Sequence, residues 1–170
     1  MARIEKYTSS GYAKLAMEVV ETSDYSIENN DSPVQYHLWL ERGSTWVYDL
    51  NNETWAEATI NGQTVINKYV SFDLRNTNRV LLGSGTIRIP HNEDGSKTIT
   101  FWARILNVAD QGNINWFSGT LGLTNISRAS AINSVTATEL GQPVTIKIDK
   151  KVNEFRHQVW WQVNDSGWID

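Results

Sequence analysis

The sequence predicts an all-β protein: an antiparallel, jelly-roll-like β-sandwich followed by the start of an immunoglobulin-like β domain. Val, Ile and Thr account for 42 of the 170 residues, against 21 for Leu and Ala. This excess favours strands over helices, because β-branched side chains pack well on a pleated surface. Apolar and polar residues also alternate strictly over several short segments, which is the pattern of a half-buried strand.

The alternating segments follow one another with turn signals at the roughly 8–12-residue spacing that is typical of sandwiches. The predicted strands are 13–21, 34–41, 54–60, 64–70, 86–89, 97–106 and 114–123. Asn61-Gly62 lies between two of these segments and predicts a tight hairpin, because both central residues must adopt positive φ. The pattern amounts to about eight strands without an amphipathic helix.

A change of pattern near residue 124 predicts a boundary between two domains. Residues 1–124 form the predicted sandwich domain, 125–130 a polar joint, and 131–170 an incomplete second β domain in which alternation resumes at Val144. An immunoglobulin-like sandwich needs about 100 residues. We therefore expect the second domain to continue beyond Asp170.

Composition argues against several classes of function. The net charge is −4, with 15 basic and 19 acidic residues, so a sequence-independent grip on nucleic acid is not expected. The absence of cysteine excludes disulfides and thiolate catalysis. No apolar run approaches the roughly 20 residues that span a bilayer, and we expect no membrane insertion.

Motifs for catalysis are scarce, and the sequence predicts no enzyme, metal site or cofactor. No Gly-x-Ser-x-Gly nucleophile elbow is present. Gly83-Ser84-Gly85 lacks the lysine and the following helix of a phosphate-binding loop. Asp49, Glu53 and Glu57 leave open a carboxylate pair of the kind that glycoside hydrolases use.

Tryptophan is unusually frequent, at 8 of 170 residues, and one aromatic segment is a candidate glycan-binding site. Its candidate residues are Trp46, Tyr48, Asp49, Asn51 and Trp55. Flat aromatic rings can stack on the C–H face of a sugar ring, while amide and carboxylate groups bind its hydroxyls. The alternatives are that these rings fill the sandwich core or form a protein interface.

Trp39 and Trp102 fall on the polar side of their predicted strands, away from the expected core. Together with Arg104, which shares the face of Trp102, they are candidates for contact with a partner chain. A shifted register would instead bury both tryptophans.

Residues 91–99 (HNEDGSKTI) resemble a recurring HN-x-DGSKT signature of siphophage tail structural proteins, common in phages of streptococci and their relatives. Three other segments are similar to the same family: 7–15, 118–123 and 127–130 (SRAS). The family usually has Pro-Arg-Ala-Ser at the last of these, so that Ser127 departs from the pattern and suggests a softer joint.

The signature also has a purely structural interpretation, because Asn92, Asp94 and Gly95 are typical of a multi-residue β-turn. A bound cation is the alternative, with His91 and Glu93 as further ligands. The spacing does not fit an EF-hand loop.

The resemblance implies a minor virion protein of the tail tip, baseplate or tail fibre that is made in the bacterial cytoplasm and contributes to host attachment. Other tail and baseplate proteins would be its partners, and a homo-oligomer would multiply weak contacts by avidity. The resemblance implies no catalytic residue. The alternative function is a carbohydrate-binding module for host cell-wall polysaccharide, and the next is a tail-associated glycan hydrolase.

Overall fold

The chain divides into two compact units, Met1–Ile126 and Ser127–Asp170. The computed structural model describes residues 1–43, 50–108, 111–127, 132–136, 145–148, 161–162 and 168–169. Within the first unit, side chains are described over 1–43, 54–108 and 111–126.

The described residues of the first unit form eight strands in two antiparallel sheets. The strands are β1 Ala2–Tyr7, β2 Ala13–Glu21, β3 Asp31–Arg42, β4 Leu50–Ile60, β5 Gln63–Asp73, β6 Arg79–Pro90, β7 Thr98–Leu106 and β8 Ile114–Gly122. Sheet I has the order β1-β2-β3-β6, and sheet II has the order β5-β4-β7-β8. The prediction of an all-β antiparallel sandwich is confirmed.

The inner faces of the two sheets supply a single apolar core, as the alternation of each strand requires. The largest side chains buried there include Leu15 and Met17 of β2, Leu38 and Leu40 of β3, and Phe101 of β7. All five follow the period-two alternation of apolar residues in their segments.

Two glycines allow the sheets to approach each other closely. A Cβ on Gly119 of β8 would lie 2.5 Å from Cγ2 of Ile4 on β1. A Cβ on Gly83 of β6 would lie 2.7 Å from Cδ1 of Ile66 on β5. Only glycine leaves room for these isoleucines, which close the sandwich on its two sides.

The hairpin between β4 and β5 has the predicted geometry. Asn61 and Gly62 both have positive φ, at 50° and 80°, as a type I′ turn requires. The structure adds β1 and the first half of β6, which sequence analysis did not predict. In β6 the apolar alternation is interrupted by Gly85, whose place against the Tyr36 ring leaves no room for a side chain.

The signature turn is built around a buried histidine. The Nδ1 atom of His91 lies 2.7 Å from the Gly95 carbonyl oxygen, and its Nε2 lies 2.9 Å from the Ser32 hydroxyl. Asp94 Oδ1 accepts a hydrogen bond of 2.9 Å from the backbone N–H of Ser96. Among the residues with described side chains, no cluster of three or more histidine or acidic side chains could hold a metal ion.

In the second unit the described strands form two antiparallel pairs. Strands β9 Ile132–Thr136 and β10 Thr145–Ile148 make the first pair. Strands β11 Trp161–Gln162 and β12 Trp168–Ile169 make the second. No described helix has the length and apolar character that a membrane-spanning helix needs.

Candidate functional site

The outer face of sheet II carries an unusual set of side chains. On β4, Ala56, Ala58 and Ile60 are buried, so that Trp55 and Glu57 point outward. The described outer-face residues are Thr64, Asn67, Tyr69, Ser71 and Asp73 of β5, Trp55, Glu57 and Thr59 of β4, Thr98, Thr100, Trp102, Arg104 and Leu106 of β7, and Trp116, Ser118 and Thr120 of β8.

Large aromatic side chains on this face are open to solvent. Tyr69 is 68% exposed, Trp102 is 42% exposed and Trp116 is 39% exposed. Trp55 is half-buried beside Tyr69. Exposed apolar side chains that cluster on one face mark a surface for a partner or ligand.

Five of these side chains form a continuous row across all four strands, which we call the aromatic row: Tyr69, Trp55, Glu57, Arg104 and Trp116. The rings of Tyr69 and Trp55 meet edge to face with their centroids 4.7 Å apart. Glu57 forms an ion pair with Nε of Arg104. The Arg104 guanidinium carbon lies 4.8 Å from the centre of the Trp116 ring. With strands spaced about 4.8 Å apart, the row spans about 14 Å across the sheet, and it also moves two residues along β4, from Trp55 to Glu57.

The charges at the centre of the row neutralise each other. A hydrogen bond from Arg104 lowers the pKa of Glu57 below its ordinary value, and a hydrogen bond from the Trp55 side chain acts in the same direction. The same ion pair raises the pKa of Arg104. Both groups are therefore ionised at neutral pH. The other charged side chain that the structure describes on the outer face of sheet II is Asp73, at the end of β5, which is paired with Arg75.

A β-bulge places Trp116 in the row. Ala103 pairs with Phe117 and Ile105 pairs with Ile114, so that Arg104 lies opposite two residues of β8. Such a bulge re-aims a side chain, and here it turns Trp116 outward, beside Arg104. Counted from the buried Ile114 without a bulge, strict alternation would have placed Trp116 in the core.

Sequence analysis missed both ends of the row. For Tyr69 a signal existed, because it shares its phase with Asn67 and opposes the buried Ile66 and Val70 along the predicted strand 64–70. For Trp116 the local signals conflict. Alternation with Phe117 and Leu121 turns it outward, whereas counting from Ile114 turns it inward, and the bulge that pairing with β7 produces decides between them.

The structure describes only some of the predicted glycan-binding residues. Trp46, Tyr48 and Asp49 lie outside the described residues. Asn51 lies on β4 and pairs with Phe72 of β5, but its side chain is outside the described set. Trp55 belongs to the aromatic row.

The structure separates the three predicted interface residues. Trp102 and Arg104 share the outer face of sheet II with Trp55, whereas Trp39 lies on the outer face of sheet I. There the indole Nε1 of Trp39 donates a 3.2 Å hydrogen bond to Glu18. The Arg79 guanidinium carbon lies 4.3 Å from the centre of the indole ring. Trp39 is therefore partly covered by its own chain.

Comparison with protein families gives a match to a model described as a siphovirus protein of unknown function (DUF859), over residues 1–169. Searches of curated proteins and of solved structures found no match. The match confirms the resemblance to siphophage proteins drawn from residues 91–99 and the three other segments. The chain belongs to the siphovirus protein family DUF859.

Proposed function

We propose that the chain is a non-enzymatic structural component of a siphovirus tail tip, baseplate or tail fibre, and that it contributes to attachment to the host cell. Membership of a siphovirus family indicates a phage structural role. The observation that supports attachment is the exposed aromatic face of sheet II. Exposed Trp and Tyr are the side chains that contribute most to binding when a partner covers them.

A repeated assembly would make such a face effective. A face about 14 Å wide offers only modest affinity as a single copy. Several copies in one tail structure would act together, and avidity can exceed single-site affinity by about 10²–10⁴. We accordingly propose a homo-oligomer in the virion, in contact with other tail proteins.

Trp102 is the stronger of the two tryptophan candidates for contacts with those proteins. It is exposed and lies beside Thr59 and Ser118, outside the aromatic row. Trp39 is the weaker candidate, because Glu18 and Arg79 already occupy part of its surface.

The state of Glu57 supports a non-enzymatic role. A glycoside hydrolase needs one carboxylic acid with a raised pKa to protonate the leaving group. The pKa of Glu57 is lowered instead, by Arg104 and Trp55. The two other carboxylates considered from the sequence, Asp49 and Glu53, lie outside the residues with described side chains.

The test is to localise the protein on intact virions and to block it. Gold-labelled antibodies against residues 1–126 should bind at the end of the tail that lies away from the head, and their Fab fragments should reduce phage adsorption. Pre-immune Fab is the control. Labelling of the head, or of no part of the virion, would contradict the proposal. Labelled tails with unchanged adsorption would leave the structural role and remove the attachment role.

A further inference from the structure

We propose that the aromatic row binds an uncharged, hydroxyl-rich polysaccharide of the host cell wall, with the sugar chain lying across the four strands of sheet II. This inference rests on the proposed attachment role and names the class of ligand. Its site differs from the aromatic segment singled out in the sequence. Trp55 is shared, whereas Tyr69, Glu57, Arg104 and Trp116 are added by the fold.

The linear shape of the row fits a chain-like ligand. Aromatic rings stand at the two ends, Tyr69 and Trp55 on one side and Trp116 on the other. The outermost strands that carry them, β5 and β8, lie about 14 Å apart. Sugar rings have apolar C–H faces that stack on aromatic rings. Successive sugars in one chain can reach both ends.

The centre of the row supplies groups for sugar hydroxyls. The Glu57 carboxylate accepts hydrogen bonds, and the Arg104 guanidinium has five N–H donors in all, of which Nε contacts Glu57. A hydroxyl is both a donor and an acceptor, so that it can bond to either partner of the ion pair. Around the row lie further hydroxyl and amide side chains: Thr59, Thr64, Asn67, Ser118 and Thr120.

Charge on this face favours a neutral ligand over an anionic one. Arg104 is the only cation described on the outer face of sheet II, and Glu57 already neutralises it. A teichoic acid, with its repeated phosphates, would need cations that are not already paired. A neutral polysaccharide needs none.

The row is also held in place before any ligand arrives. Edge-to-face packing fixes Tyr69 against Trp55, and the ion pair with Glu57 fixes Arg104 over Trp116. Side chains that are already ordered lose less entropy on binding. A flat, rigid row of this kind suits a ligand that is itself extended.

The experiment measures binding of the purified 170-residue chain, displayed in several copies on beads, to two wall fractions from a susceptible host strain. One fraction is the neutral wall polysaccharide and the other is the isolated teichoic acid. We expect binding to the neutral fraction, little changed between low and high salt. Binding to the teichoic acid alone, weakened by salt, would overturn the proposal.

Variants then place the site. Tyr69→Ala and Trp116→Ala should each weaken binding to the neutral polysaccharide by about tenfold, whereas Tyr69→Phe should retain it. Tyr25→Ala removes a side chain of similar exposure, 45%, from a loop outside both sheets, and should change nothing. Tyr69 and Trp116 lie on edge strands and are exposed, so their variants should stay folded by circular dichroism.

Trp102→Ala separates a sugar from a protein partner. Trp102 is on the same face but off the row, so sugar binding should survive its loss. Equal losses in the Trp102 and Trp116 variants would indicate a broad protein-binding surface and overturn the proposal. Failure to bind the neutral fraction, on tails that still carry the protein and are still blocked by Fab, would overturn this inference and leave the proposed function in place.

Discussion

The two outer faces of the sandwich expose different kinds of side chain to solvent. The outer face of sheet I is covered by a network of ions, in which Arg3 contacts Glu5, Glu18 and Glu41, and Lys14 contacts Glu5 and Glu41. Among its described residues, the outer face of sheet II has the ion pair of Glu57 with Arg104, and Asp73 paired with Arg75 at the end of β5, surrounded by aromatic and hydroxyl side chains. In a network of paired charges, each charge is neutralised by a neighbour in the same chain. Exposed aromatic rings are stabilised when a ligand covers them.

This difference shows why an outward tryptophan is not by itself a sign of function. Trp39 and Trp116 both point away from the core. Trp39 is covered by Arg79 and hydrogen-bonded to Glu18, 3.2 Å away, so its neighbours account for it. Trp116 keeps 39% of its surface exposed although Arg104 lies over its ring. The neighbours of a tryptophan distinguish the two cases.

The largest expected effect comes from breaking the core that both faces share. Phe101 is fully buried between the sheets, and Phe101→Ala should lower the free energy of unfolding by about 3–5 kcal/mol. Urea denaturation followed by tryptophan fluorescence measures this value. A loss below about 1 kcal/mol would mean that the sheets do not depend on a common core.

Next comes a pair of variants that separates the faces. Trp39→Ala should lower the free energy of unfolding by about 1–2 kcal/mol, because it removes packed surface and the hydrogen bond to Glu18. It should leave polysaccharide binding unchanged. Trp116→Ala should instead weaken polysaccharide binding and change the free energy of unfolding by less than about 1 kcal/mol. If both variants changed stability and polysaccharide binding alike, the two outer faces would not differ in role.

A smaller effect is expected within the network of sheet I. Glu41→Gln weakens the contacts of Glu41 with both Arg3 and Lys14, and should lower the free energy of unfolding by about 1 kcal/mol or less. The loss should shrink in high salt, since salt screens charges near the surface. A loss that is independent of salt would indicate packing instead of charge.

The smallest effect is a dependence on pH. Lys14 lowers the pKa of Glu5, and Arg104 lowers the pKa of Glu57, in both cases from an ordinary value of 4.5. Carboxylates of this kind stabilise the fold above pH 4.5, and their contribution is lost as the pH falls through the folded-state pKa. Thermal unfolding should show a melting temperature that is flat above this pH and declines below it. Polysaccharide binding should also weaken below this pH, because Glu57 becomes protonated. The Glu57→Gln variant should bind the polysaccharide with little dependence on pH.

Local sequence was sufficient for much of the sandwich. The residues buried on β2, β3 and β7 follow a period-two pattern that any half-buried strand imposes on its own segment. The turn at Asn61-Gly62 is equally local, because positive φ at two adjacent residues restricts the residue types that fit. These features depend on neighbours along the chain, and neighbours along the chain are visible in the sequence.

Strands with weak patterns were missed for a related reason. Ala2–Tyr7 forms an edge strand that buries little of its own surface, so its alternation is faint. Gly83 and Gly85 of β6 carry no side chain, because Ile66 and Tyr36 occupy the space beside them. These requirements come from contacts with other strands, so they produce no alternation of apolar and polar residues within β6.

By itself, the sequence determined that the chain is a two-sheet β protein and that Trp39 and Trp102 point away from the core. Only the tertiary structure decided which of those side chains are neighbours. Tyr69, Trp55, Arg104 and Trp116 come from four different strands, and the order of strands in a sheet is set by packing of the whole sandwich. The bulge opposite Arg104 likewise depends on pairing between β7 and β8, which strict alternation within one strand does not encode.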